Sequence, residues 1–83
     1  MQAGDPRADP AVVDLIELAG LWLAAGERTA LCQTLGQLID LVERRYADEG
    51  LFADRFRAVL SVAEQSNSSE DDLRRTYRRA TLG

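Results

Sequence analysis

Hydrophobic residues recur at every third or fourth position along most of this chain, which is the spacing of one face of an α-helix. The repeat is most regular between positions 31 and 46, where it continues over four turns. Its members there are Leu31, Cys32, Leu35, Leu38, Ile39, Val42 and Tyr46. No alternating apolar and polar run typical of a strand occurs, so the pattern predicts helices throughout.

The pattern predicts four helices with short connections. They are expected over residues 10–25, from 27–29 to 48–50, over 51–65 and over 70–81. Asp9 and Pro10 are a favourable helix start, and Gly26 is the residue type that most easily closes a helix in the left-handed conformation. Ser68 or Ser69 is expected to cap the last helix.

Short connections favour antiparallel neighbours, so the expected fold is all-α. We predict a small antiparallel bundle of four helices, of which three are longer and the last is short and peripheral. Residues 1–8 are polar and contain Gly4 and Pro6, and they are predicted to form a flexible N-terminal lead. Residues 9–83 are predicted to form a single helical-bundle domain.

Composition argues against most kinds of chemistry. The chain has no histidine, and it has one cysteine, Cys32, which is expected to be an inert thiol in the core. It has no glycine-rich phosphate loop and no Ser–His or Cys–His arrangement. We therefore expect a protein that is not an enzyme and that takes no cofactor, metal or small-molecule substrate.

The start of the chain lacks the features of a signal peptide, and the longest apolar-rich segment, AVVDLIELAGLWLAA, is interrupted by Asp14 and Glu17. A cytoplasmic protein that does not engage a membrane is expected.

The last predicted helix is basic on one side. Its arginines are Arg74, Arg75, Arg78 and Arg79, opposite a narrow apolar stripe of Leu73, Tyr77 and Ala80. One interpretation is a surface for phosphate or for an acidic protein. The other is a solvated helix with acids first and cations last, which complements the helix dipole and places Glu70–Arg74 and Asp71–Arg75 at the i, i+4 spacing.

A small DNA-binding transcriptional regulator that uses this arginine-rich helix is an alternative function. A recognition helix, however, meets DNA with its N-terminal residues, which here are Glu70, Asp71 and Asp72. The net charge of −4 also opposes a nucleic-acid partner, so we do not expect one.

The C-terminal segment AVLSVAEQSNSSEDDLRRTYRRATLG resembles the first two helices of a J-domain co-chaperone, in which a Ser-led acidic cap precedes a basic helix with a Tyr-Arg pair. The His-Pro-Asp loop on which that family's activity depends is absent. The resemblance therefore implies a binding surface and not co-chaperone activity.

Leu21 and Leu41 lie off the apolar stripes of their helices. Either they form a shared hydrophobic interface, or a neighbouring helix covers them. We favour the interface, and with it a non-enzymatic module that presents a helical surface to another protein or to a second copy of itself, as an adaptor, small chaperone or accessory subunit. A noncatalytic small subunit of an enzyme complex is a further alternative.

Overall fold

The computed structural model describes residues 5–65 and 67–82. These residues contain four α-helices and one short 3₁₀ turn, and no strand. The helices are α1 (Pro10–Ala25), α2 (Arg28–Arg45), α3 (Gly50–Glu64) and α4 (Glu70–Leu82). The predicted all-α bundle of four helices is confirmed. Over the described ranges, no helix combines the length and the apolar character needed to cross a bilayer.

The helices pack in chain order, α1 on α2, α2 on α3 and α3 on α4. Connections of two, four and five residues join them, so each helix runs antiparallel to the one before it. The hydroxyl of Tyr77 in α4 donates to the backbone carbonyl of Ile16 in α1, which joins the last helix to the first.

The core consists of one stripe from each helix. Its fully buried large side chains include Val12 from α1, Leu31, Leu35, Leu38 and Val42 from α2, Phe56 and Val59 from α3, and Leu73 from α4. Full burial of one such side chain stabilises the fold by about 1.5–3 kcal/mol. In α2 and α4 these side chains all belong to the predicted apolar stripes. α4 is the shortest helix, at 13 residues, and buries Leu73 and Ala80.

The start of α1 and the start of α4 have the caps that their sequences predict. The Asp9 carboxylate accepts from the Ala11 amide at 2.9 Å, and Gly26 closes α1 with φ of 75°. The Ser69 hydroxyl accepts from the Asp72 amide at 3.1 Å, so Ser69 caps α4.

α2 ends at Arg45, several residues before the predicted end at 48–50. Tyr46 leaves the helical region with φ of −131° and ψ of 57°. Its hydroxyl donates to the Asp9 carboxylate at 2.6 Å, and its carbonyl accepts from the Glu49 amide at 2.8 Å. These bonds compensate for the lost helical turn, and the partner Asp9 is 37 residues away in the chain.

Residues 5–8, which the sequence assigns to a flexible lead, form a turn that packs on the bundle. The 3₁₀ turn Pro6–Ala8 begins with the Asp5 carboxylate accepting from the Arg7 amide. Pro6 is buried, and the Arg7 guanidinium lies 5.3 Å above the Phe52 ring. The other residues of the predicted lead, 1–4, lie outside the described residues.

Candidate protein-interaction surfaces

The four arginines of α4 are all exposed. Arg74, Arg75, Arg78 and Arg79 lie on the side opposite the buried Leu73 and Ala80, as the helical spacing predicts. The basic side of α4 therefore faces solvent over two turns.

Intrahelical ion pairs account for little of this charge. Of the four arginines, Arg75 lies 4.0 Å from the Asp72 carboxylate. Among the described residues, Arg74, Arg78 and Arg79 form no ion pair, and neither predicted i, i+4 pair is made. The exposure of all four arginines agrees with either interpretation of α4, as a solvated helix or as a binding surface, and an ion pair within the helix is formed by one arginine of the four.

A fifth arginine, Arg55 of α3, joins the basic side of α4. Together they line an open depression of about 570 Å³, whose residues are Arg55, Arg75, Arg78, Arg79 and Leu82. Sequence reasoning missed Arg55, because Arg55 lies on a different helix and 20 residues before Arg75. The signal was the antiparallel pairing of α3 and α4, which places the first turns of α3 beside the last turns of α4.

The remaining arginines of the chain have partners. The ion pairs are Arg7–Asp5, Arg44–Asp40, Arg45–Asp9, Arg57–Glu43 and Arg57–Asp54. Within the described part of the chain, the arginines without an acidic partner are Arg28, Arg55, Arg74, Arg78 and Arg79. Arg55, Arg78 and Arg79 line the depression between α3 and α4, whereas Arg74 lies on the side of α4 that faces Gly20, Leu23 and Ala24 of α1.

Arg28 holds the connection between α3 and α4. Its guanidinium donates to the Gln65 carbonyl at 2.9 Å, to the Ser68 carbonyl at 2.7 Å and to the Ser68 hydroxyl at 3.0 Å. The Ser68 hydroxyl in turn donates to the Val62 carbonyl at 2.6 Å. Arg28 thereby satisfies carbonyls at the end of α3 and orients the start of α4.

Leu21 and Leu41 lie in different surroundings. Leu21 is 67% exposed, whereas Leu41 is half-buried and packs against the core. Positions 41 and 43 are about 200° apart around α2. Since Glu43 pairs with Arg57 of α3, Leu41 is on the flank that faces α1.

The structure does not bring these two leucines into one patch. Leu41 lies roughly 13 Å farther than Leu21 from the turn between α1 and α2, measured along the helix axes. Leu21 instead belongs to the outer face of α1, together with the exposed Leu18, Ala24 and Ala25. We call these four residues the α1 apolar face.

Cys32 is half-buried, not fully buried as expected of a core thiol. Burial raises the pKa of this thiol, and the nearby Glu64 carboxylate adds to the shift. A raised pKa lowers the fraction of reactive thiolate at neutral pH.

In the described residues, no group of three His, Cys, Asp or Glu side chains is placed to hold a metal ion. The tyrosine hydroxyls are used structurally, Tyr46 on Asp9 and Tyr77 on Ile16. The bond to Asp9 raises the pKa of Tyr46, and burial raises that of Tyr77.

No protein-family model, curated protein or solved structure matches this chain. The resemblance of the last third to a J-domain therefore gains no support from these comparisons. The two candidate surfaces are the α1 apolar face and the arginine depression.

Proposed function

We propose that this chain is a non-enzymatic, cytoplasmic helical module that binds another protein, or a second copy of itself, through the α1 apolar face. The observation that carries the proposal is the exposure of Leu21 and Leu18 beside Ala24 and Ala25 on one side of a helix. Leu21 is 67% exposed and Leu18 is 38% exposed. Isolated exposed leucines are common on folded proteins, but two leucines and two alanines on one side of a helix over two turns are typical of a helix that packs against a partner. The exposed Asp14 and Glu17 lie on the same side, so this face is apolar in part.

An adaptor, a small chaperone, an accessory subunit or a noncatalytic subunit of an enzyme complex would each use such a face. Identification of the captured partner distinguishes among them, because an accessory or noncatalytic subunit co-purifies with its enzyme. A DNA-binding regulator would instead shift duplex DNA in a gel, through counterion release that weakens with salt.

Leu21→Glu tests the α1 apolar face. Because Leu21 is exposed, the variant should keep its helical circular dichroism spectrum and its urea midpoint. It should lose self-association in light scattering, or lose the partner that the unaltered chain retains in a pull-down. Gln33→Glu adds the same charge at an exposed site on α2 and should leave both readouts unchanged.

Leu41→Glu is the comparison that separates the two predicted leucines. Leu41 packs against the core, so a carboxylate there should lower the free energy of unfolding by about 2 kcal/mol or more. The proposal is contradicted if Leu21→Glu associates as the unaltered chain does, or if the unaltered chain neither self-associates nor retains a partner.

A further inference from the structure

The arginine depression concentrates positive charge, and among the described residues Asp72 pairs with Arg75 while Arg55, Arg78 and Arg79 form no ion pair. Arg55 and Arg79 come from different helices and line the same open surface with Arg75 and Arg78. Like charges that line one surface repel one another, and salt screens this repulsion over about 8 Å at physiological ionic strength. A bound anionic group would relieve this repulsion.

Exposed leucines flank these cations. Leu82, which is 79% exposed, lines the depression itself. Leu51, which is 67% exposed, precedes Arg55 by one turn of α3 and so shares its flank. The antiparallel pairing places the first turn of α3 beside the last turn of α4, so both leucines border the same surface.

The combination of arginines and exposed leucines distinguishes between a nucleic acid and a protein segment as the ligand. Phosphates of a nucleic acid would engage the arginines and leave Leu51 and Leu82 in contact with water. A carboxylate also lies next to one of the arginines, Asp72 beside Arg75, and it would repel a continuous polyanion. A protein segment that carries both carboxylates and apolar side chains matches the cations and the leucines together.

We propose that the depression formed by Arg55, Arg75, Arg78, Arg79 and Leu82, with Leu51 at its edge, binds an acidic segment of another protein that also contributes leucine-like side chains. This inference rests on the proposed function as an interaction module and gives it a second surface with a defined class of partner.

The test is fluorescence anisotropy with a labelled helical peptide of about 14 residues, in which glutamates surround two leucines at the i, i+4 spacing. We expect saturable binding that weakens as sodium chloride is raised. The double variant Arg55→Gln/Arg79→Gln should weaken binding about tenfold, as the loss of two exposed charge contacts implies. Arg44→Gln/Arg57→Gln changes the net charge equally on another face and should weaken it less than about twofold.

The apolar part of the site has its own test. Leu82→Ser should weaken binding of this peptide about threefold. A peptide with serine in place of both leucines should bind the unaltered protein no more tightly than the original peptide binds the Leu82→Ser variant. Circular dichroism of each variant checks that the bundle is intact.

Three results would overturn the inference. They are no saturable binding of the peptide, equal weakening by the two double variants, and tighter binding of duplex DNA than of the peptide with the same dependence on Arg55 and Arg79. In each case the Leu21→Glu experiment stays independent, because it needs neither the peptide nor the arginines. If the peptide does not bind but the protein still associates through the α1 apolar face, the proposal for the arginine depression is rejected and the proposed function is kept.

Discussion

Gly20 and Gly36 both lie inside helices, but their surroundings differ. A Cβ atom at Gly20 would lie 3.1 Å from the Tyr77 hydroxyl oxygen. A Cβ atom at Gly36 would meet nothing within 4 Å. Gly20 therefore lets Tyr77 approach the backbone of α1, whereas no neighbouring helix comes close to Gly36.

This difference predicts opposite consequences for alanine. Gly36→Ala should raise the free energy of unfolding by about 1 kcal/mol, the difference in helix propensity. Gly20→Ala should gain clearly less, because Tyr77 must shift and loosen its bond to Ile16. In a Tyr77→Phe background the nearest ring atom would be 3.7 Å away, and the full gain should return. Urea unfolding followed by circular dichroism measures the cycle, and equal gains at both glycines would contradict it.

The Asp9 carboxylate links the start of α1 to the end of α2. Its pKa is lowered, first because the Tyr46 hydroxyl donates to it, and further by the Ala11 amide and Arg45. Because the pKa of Asp9 is lower in the folded protein than in the unfolded chain, the ionised carboxylate stabilises the fold at every pH above the unfolded-state pKa, near 3.8. This stabilisation is lost as the pH falls through the folded-state pKa.

Asp9→Asn should therefore flatten the dependence of the urea midpoint on pH between about 5 and 2. Asparagine still caps a helix, so the variant removes the charge and keeps the cap. Tyr46→Phe, which keeps the carboxylate and removes its main donor, should flatten the same curve in part. If the urea midpoint of both variants depends on pH as steeply as that of the unaltered protein, Asp9 does not contribute to the loss of stability at acid pH.

At the scale of an element, the connection between α3 and α4 is held in place by a residue of α2. Arg28→Ala removes three hydrogen bonds to Gln65 and Ser68, and we expect it to lower the free energy of unfolding by about 1.5–3 kcal/mol. Arg44→Ala, which breaks an exposed pair with Asp40, should change it by about 0.5 kcal/mol or less. Hydrogen exchange should show faster opening at the start of α4 in Arg28→Ala. Equal losses in the two variants would contradict a specific role for Arg28.

The sequence predicts the helices better than it predicts their ends and their polar contacts. Positions such as Leu35 and Leu38 follow from a local period, and local caps such as Asp9 and Ser69 follow from residue type. The early end of α2 at Tyr46, the bonds of Arg28 and the place of Arg55 all depend on partners far along the chain. Such pairings become visible only once the helices are packed.

At the scale of the whole molecule, net charge conceals how the charge is arranged. The chain carries 14 acids and 10 arginines, and acids lie at both ends of the bundle. Glu27, Glu64, Glu70, Asp71 and Asp72 lie where α1 meets α2 and α3 meets α4, and Asp5, Asp9, Asp48, Glu49 and Asp54 lie at the end that also holds Arg55, Arg78 and Arg79. At that second end the arginines of the depression are nevertheless grouped on one face, with Arg75 paired to Asp72 and no ion pair to Arg55, Arg78 or Arg79 among the described residues. A value of −4 therefore excludes neither an acidic partner nor a locally positive surface.

Because the bundle has four helices and each runs antiparallel to the one before it, Asp5 and Leu82 lie at the same end of the bundle, beside the arginine depression. A fusion partner on either side of the described chain would be held there at an effective concentration of the order of millimolar. An epitope tag rich in aspartate would thus act as a tethered competitor and mask the site from a peptide in solution. An uncharged tag on a long glycine–serine spacer is the suitable format for capture assays with this protein.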